Sequence, residues 1–208
     1  CEYTECIENL GKNFDVIRSN ESLTKISIYL ANHQNPTMAF KKKFLDITGY
    51  DYVIMDCAPS LGLLNQNIMV YCDEAIIPVS TNFLSLTGLA VMTEAIREIN
   101  RHYNHTLKIS LIVPTMHDAR NKSNKEMLKR LHKQHVGLVC DPIRINAKLA
   151  EAPEHKQSIF SYDSKSRGAE DYAKLTQTIL AKEKRIETET VPISMRVQKI
   201  MADVQAEE

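Results

Sequence analysis

The chain has 208 residues, enough for one domain with a single substantial core. Lys+Arg and Asp+Glu both number 26, which excludes a chain that is basic or acidic throughout; a polyanionic partner has to be met by local clustering. With 43% hydrophobic and 25% charged residues the composition is that of a globular protein, and no apolar run is long enough to cross a bilayer.

Taken in chain order, Phe14 to Ile17 is a short strand. Segments from Ser22 to about His33 and from Thr37 to about Ile47 read as helices. Tyr52, Val53, Ile54 and Met55 form an apolar run that predicts a buried strand ending on Asp56. Leu61, Leu64, Ile68 and Tyr71 then recur at helical spacing. Ala75 to Val79 is a second strand, whose Pro78 must lie near an end or at a poorly paired position. Leu89, Met92, Ile96, Ile99 and Tyr103 mark a long amphipathic helix. Leu107 to Val113 is a third strand closed by Pro114, and a charged helix runs from Asn121 to about His135. A short strand falls between Gly137 and Ile143, and a helix face is formed by Ala169, Tyr172, Ala173, Thr176, Ile179 and Leu180. Ile193, Val197, Ile200 and Val204 predict a last helix with a thin apolar stripe. Apolar strands alternating with amphipathic helices give an α/β class with a mostly parallel sheet. Ligands of such sheets bind beyond the carboxyl ends of the strands, where Asp56, Ser80, Thr81, Thr115 and the segment after Cys140 fall.

An acid that ends a hydrophobic strand has two readings. It caps the next helix, or it orients the water shell of a Mg2+ that bridges nucleotide phosphates. The spacing leaves both open. The surrounding words go further. YDYVIMDCAPSLGLLNQNIMVYCDEAIIPVSTNFLSLTGL resembles the ParA/Soj group of deviant-Walker P-loop ATPases, relatives of MinD. Their pattern is a strand ending D-C-P-P-S-L-G, a helix, D-E-V-L-I-P-V and S-L-x-G-L. PTMHDARNKSNKEML resembles their T-M-x-D-x-R segment. INAKLAEAP and SIFSYDSKSRGAEDYAKL resemble their C-terminal block. The resemblance runs from about residue 13 to about residue 182.

The resemblance implies a P-loop NTPase fold of the SIMIBI type, a mostly parallel twisted sheet flanked by helices on both faces. It implies one ATPase domain over residues 1–208, with 184–208 as a C-terminal tail or helix. Asp56 corresponds to the Walker B aspartate, acting on Mg2+ through water, with Ala58 in place of the first proline of the pair. Pro59, Ser60, Leu61 and Gly62 correspond to a switch that senses the γ-phosphate. Thr115 and Met116 lie where the family places the base of ATP, flanked by Pro142, Arg144 and Asn146. The family often has Pro-Arg before this asparagine, and Arg144-Ile145 stands here instead. Arg120 and Lys148 match positions that bind DNA nonspecifically, with Lys122, Lys125 and Arg167 as neighbours. The implied protein is a partitioning ATPase, cytoplasmic and nucleoid-associated. It forms an ATP-bound homodimer, is stimulated by a ParB-like centromere-binding partner, and has no membrane partner.

No G-x-x-x-x-G-K-[ST] and no K-G-G-x-G-K-[ST] occurs in these residues, nor the acidic switch D-x-D-P-Q-x-x-x-T. Against the family pattern both would lie N-terminal to Cys1, so the fold is expected to be incomplete there, with residues 52–55 short of a sheet neighbour. Without backbone amides and a lysine for the phosphates, these residues are expected not to hold or hydrolyse ATP. A non-catalytic DNA- or partner-binding module is the alternative, and a ParA-like positioning ATPase for another cargo is a further one.

Other features read as structural. His102 with His105, and His132 with His135, sit in polar stretches and read as solvated. Lys41, Lys42 and Lys43 read as a helix surface. The five cysteines lack CxxC spacing and read as reduced thiols, with Cys57 and Cys72 buried in apolar surroundings.

Overall fold

The computed structural model describes residues 3–32, 34–58 and 60–187, without the side chains of residue 24 and residues 184–187. Pro59 of the expected switch, and the expected last helix at Ile193, Val197, Ile200 and Val204, lie outside the described residues.

The chain forms two compact units. The first comprises Cys1–Asp73 and Glu94–Lys108, the second Glu74–Thr93 and Ile109–Glu208, over their described residues. The first unit opens with an antiparallel hairpin of β1 (Ile7–Gly11) and β2 (Phe14–Ile17), paired Ile7 with Ile17 and turning through Asn13 at φ 64°. The expected strand at Phe14 is present, and its partner β1 was not legible because IENLG carries no clear alternation. The helix expected from Ser22 divides into a 3-10 turn, Glu21–Lys25, capped by the Asn20 side chain, and α1 (Ile26–Ala31). α1 buries only Leu30, too little apolar surface to hold a longer helix. The helix expected from Thr37 shortens to α2 (Ala39–Lys43). Around it Tyr3, Phe40, Phe44 and Tyr71 form an aromatic cluster with ring centroids 5.3 to 5.9 Å apart. The next helix, α3 (Leu63–Tyr71), packs Val70 with Met38 and Ile99.

Residues 52–55 correct the sequence reading. Residues 52–58 run outside any strand ladder, and Ile54 is 89% exposed. An apolar run becomes a strand only when neighbouring strands take up its backbone groups, and no described strand pairs with this one.

The second unit holds the parallel sheet. β3 (Glu74–Ser80) leads into α4 (Phe83–His102), which gives residues 83–93 to this unit and 94–102 to the first. β4 (Lys108–Thr115) pairs with β3. Lys108 N–H donates to Asp73 O at one end and Thr81 N–H to Thr115 O at the other, so the strands are parallel. By strand alternation Pro78 lacks its donor on the side facing away from β4, where nothing is lost. Residues 138–145 pair parallel along β4's other edge, at Ile112 with Val139 and His117 with Arg144. Helices cover both faces. On one, Val79 and Ile112 pack with Leu89 of α4 and with Met127 and Leu131 of α5 (Lys122–Gln134). On the other, Leu111 and Val113 meet Leu149 of α6 (Ala147–Glu154), then Leu175 and Ile179. After α7 (Ile159–Tyr162) these last two belong to α8 (Arg167–Glu187). Each of the fully buried aliphatic side chains here, Val79, Ile112, Leu89, Leu131, Leu111 and Val113, contributes roughly 2 kcal/mol. Asparagine caps start α5 and α6: Asn121 accepts from Ser123 N–H and Asn146 from Lys148 N–H.

Candidate functional site

In the first unit, Asp56 sits exposed in the segment of residues 52–58 outside any ladder, and no described side chain is bonded to its carboxylate. The turn after it is held from α3. Ser60 N–H donates to Ala58 O at 2.8 Å, and the buried Asn65 donates through Nδ2 to both Ala58 O and Ser60 O. Gln66 Nε2 donates to Leu61 O at 3.2 Å, and Gly62 takes the position before α3. Asn67, 0% exposed, accepts from Phe40 N–H and donates to Pro36 O and Leu63 O. The two asparagines thus fix both the turn after Asp56 and the approach to α2. Sequence reasoning passed over them, although polar residues inside an apolar helix window are a signal that something is being bonded.

Cys57 corrects a second expectation: the residue is exposed, because the segment it belongs to is not covered. Partial burial of the thiol, helped by the Asp56 charge, still pushes its pKa up, away from a reactive thiolate. Cys72 is half-buried and burial raises its thiol to about 11, whereas Cys140 is fully buried. His105 is not simply solvated either; its Nε2 lies 2.8 Å from Cys72 O.

In the second unit the residues expected around the base come together. Thr115 ends β4 and Met116 follows at φ 51°, exposed. Residues 143–145 run beside them: Ile143 N–H donates to Pro114 O, His117 N–H to Ile143 O, and Ile145 N–H to His117 O. Pro142 and Asn146 border this stretch. Arg144 is committed elsewhere. Its guanidinium is bound through Nε and Nη2 by Asp171 and through Nη2 by Glu170, which raises its pKa further. Beside it His117, 6% exposed, carries an Nδ1 with no hydrogen-bond partner among the described residues.

The five cations expected at DNA divide into two kinds. Arg120 is engaged by Asp118 through Nε and Nη2 at 3.1 Å each, and Lys148 Nζ by Glu151 at 2.7 Å beneath the Tyr162 ring. These pairings hold the Asp118 and Glu151 carboxyls below their usual range. Lys122, Lys125 and Arg167 are exposed at the first turns of α5 and α8 and have no ion-pair partner among the described residues. Lys129, Arg130 and Lys133 continue the outward face of α5, opposite Met127 and Leu131.

No group of three or more His, Cys, Asp or Glu among the described residues is arranged to hold a metal, and no described helix is long and apolar enough to cross a membrane. One carboxylate suits a Mg2+ held mainly by phosphates. These 208 residues contain no glycine-rich loop and lysine to hold the phosphates, so by themselves they do not fit a nucleoside triphosphate.

A family model described as an AAA domain matches residues 1–109. The chain is 34% identical over 172 residues to the sporulation initiation inhibitor protein Soj of Bacillus subtilis (strain 168), covering 82% of this chain and 68% of that protein. It is 31% identical over 173 residues to the chromosome-partitioning ATPase Soj of Treponema pallidum (strain Nichols), again 82% and 68%. A plasmid partition protein from Borrelia burgdorferi shares the fold with a TM-score of 0.63 at 21% identity, over 84% of this chain and 68% of that one. The chain therefore belongs to the ParA/Soj family of P-loop partitioning ATPases.

Proposed function

We propose that the protein is an ATP- and Mg2+-dependent partitioning ATPase that dimerises around ATP. In this reading it binds DNA without sequence preference and is stimulated by a ParB-like centromere-binding partner. The observation that carries it is the likeness, across 82% of the chain, to two Soj proteins, one of them named a chromosome-partitioning ATPase. Asp56 orients water around Mg2+, residues 59–62 sense the γ-phosphate, and Thr115, Met116, Pro142 and Asn146 border the base. With the Arg144 guanidinium held by Asp171, that position offers the base its backbone and not a free cation.

Phosphate contacts need positive charge and not base-edge geometry, and Arg120, Lys122, Lys125, Lys148 and Arg167 supply it. The test is anisotropy of a labelled nonspecific duplex titrated with the protein between 25 and 150 mM salt (roughly one Debye-length regime to the next). Arg120→Ala with Lys148→Ala is expected to weaken binding and to lower the salt slope by about 1.8, two phosphate contacts. Unchanged affinity and slope sink the DNA reading. The 208-residue chain is expected to bind ATP weakly and not to turn it over; tight Mg2+-dependent binding in calorimetry overturns that. A non-catalytic module, favoured by the missing phosphate loop among these residues, differs in one outcome: DNA binding indifferent to ATP in the full gene product.

A further inference from the structure

We propose that Asn124 is a positioning residue for DNA binding, fastening the turn that presents Arg120 to the end of β3, beside the Thr115–Met116 strand end. The inference rests on the DNA-binding reading above. Asn124 lies half-buried in the first turn of α5. Its Nδ2 donates to Thr81 O at 2.7 Å, and its Oδ1 accepts from Asp118 N–H at 2.9 Å. Asp118 in turn accepts from Arg120 N–H at 2.9 Å and from the guanidinium Nε and Nη2 at 3.1 Å each. Hydrogen bonds therefore run without a break from β3's end to the Arg120 side chain.

The anchored end is firm. Thr81 is buried, its N–H donates to Thr115 O at 3.1 Å, and its hydroxyl to Met116 O at 3.4 Å. The other end needs anchoring, because the Arg120 side chain is 91% exposed and packing does not place it. A long exposed side chain loses conformational entropy on meeting a phosphate, and a fixed turn reduces that loss. Helix capping does not account for Asn124, since Asn121 already caps α5 through Ser123 N–H.

The experiment uses the full gene product with ATP and Mg2+ and a labelled nonspecific duplex, with affinity read as a function of salt. Arg120→Ala lowers the slope of log affinity against log salt by about 0.9. Asn124→Leu removes no charge, yet it is expected to weaken binding about three-fold and to lower the slope by about the same 0.9. In an Arg120→Ala background Asn124→Leu is expected to change nothing further, because it acts through that arginine. An unchanged slope, or effects that multiply, overturns the assignment. Asn124→Ala gives the same reading if the Leu variant loses its circular dichroism, and loss of fold in both variants overturns it. Wild-type protein that fails to bind the duplex removes the DNA reading and this inference together. Wild-type binding matched by Asn124→Leu removes only the role of Asn124.

Discussion

Asp171 grips Arg144 by backbone and side chain at once. Its Oδ2 accepts from Arg144 N–H at 2.9 Å and from Nε at 2.9 Å, while Oδ1 accepts from Nη2 at 2.6 Å. The carboxylate is 5% exposed and the guanidinium about a third, so solvent screens one side of the pair. Asp171→Ala leaves an unpaired N–H and a half-buried cation, and is expected to destabilise by about 2 kcal/mol in urea unfolding. Asp171→Asn keeps an acceptor for the N–H and is expected to cost about half as much. Equal losses for the two variants, or none, contradict the clamp.

His117 gives the protein a pH dependence. Burial, with Lys125 adding and Asp118 opposing, holds its pKa below the usual histidine value. The folded state therefore keeps the ring neutral where the unfolded chain takes up a proton. Stability from this group is present above the unfolded pKa of about 6.5 and is lost as pH falls below it. The urea midpoint is expected to drop between pH 7.5 and 5.5 (roughly one pH unit either side of that value). His117→Leu is expected to flatten the drop, the other six histidines being common to both proteins. A His117 NMR signal titrating at or above the ordinary value argues against this.

What was legible in the sequence follows from range. β4 and α5 were readable within a residue or two, because the apolar run and the Asn121 cap are written locally, although β4 continues through Pro114, where a stop was expected, to Thr115. At 52–55 the expected buried strand is absent, while the expected lack of a sheet neighbour is what the structure shows: a strand is a property of a pair, and no described ladder takes this segment up. Arg144 was expected to flank the base, and its pairing with Asp171, 27 residues away, was not legible because nothing local announces it. Asn65, Asn67 and Asn124 were missed for the same reason. Their bonds go to backbone carbonyls and amides whose positions only the fold determines.

Asn67 is expected to be the most costly polar side chain to remove from the first unit. Its removal frees Phe40 N–H and Pro36 O, both satisfied by it at 3.1 and 2.7 Å. Asn67→Leu keeps the volume and loses both bonds, for an expected loss of about 2 to 3 kcal/mol. Amide exchange should accelerate first at Phe40. Wild-type exchange there in the variant shows that water or another group has taken over.

Gly168 carries two opposing effects of an added methyl group. In the first turn of α8, alanine is intrinsically better than glycine by about 0.8 to 1.0 kcal/mol. The new Cβ, however, meets Leu149 Cγ at 2.6 Å, Cδ2 at 2.9 Å and Cδ1 at 3.0 Å. Leu149 is itself packed into the clusters around Ile143 and Ala152, so it has little room to swing away. Overpacking of this kind costs about 1 to 3 kcal/mol, and Gly168→Ala is expected to be destabilising by about 1 kcal/mol net. Leu149→Ala removes the obstacle. In that background the same glycine substitution is expected to turn neutral or stabilising, a coupling that a double-mutant cycle reads directly. If Gly168→Ala stabilises the wild-type protein by the full helical gain, α6 and α8 are not in the close contact that this glycine permits.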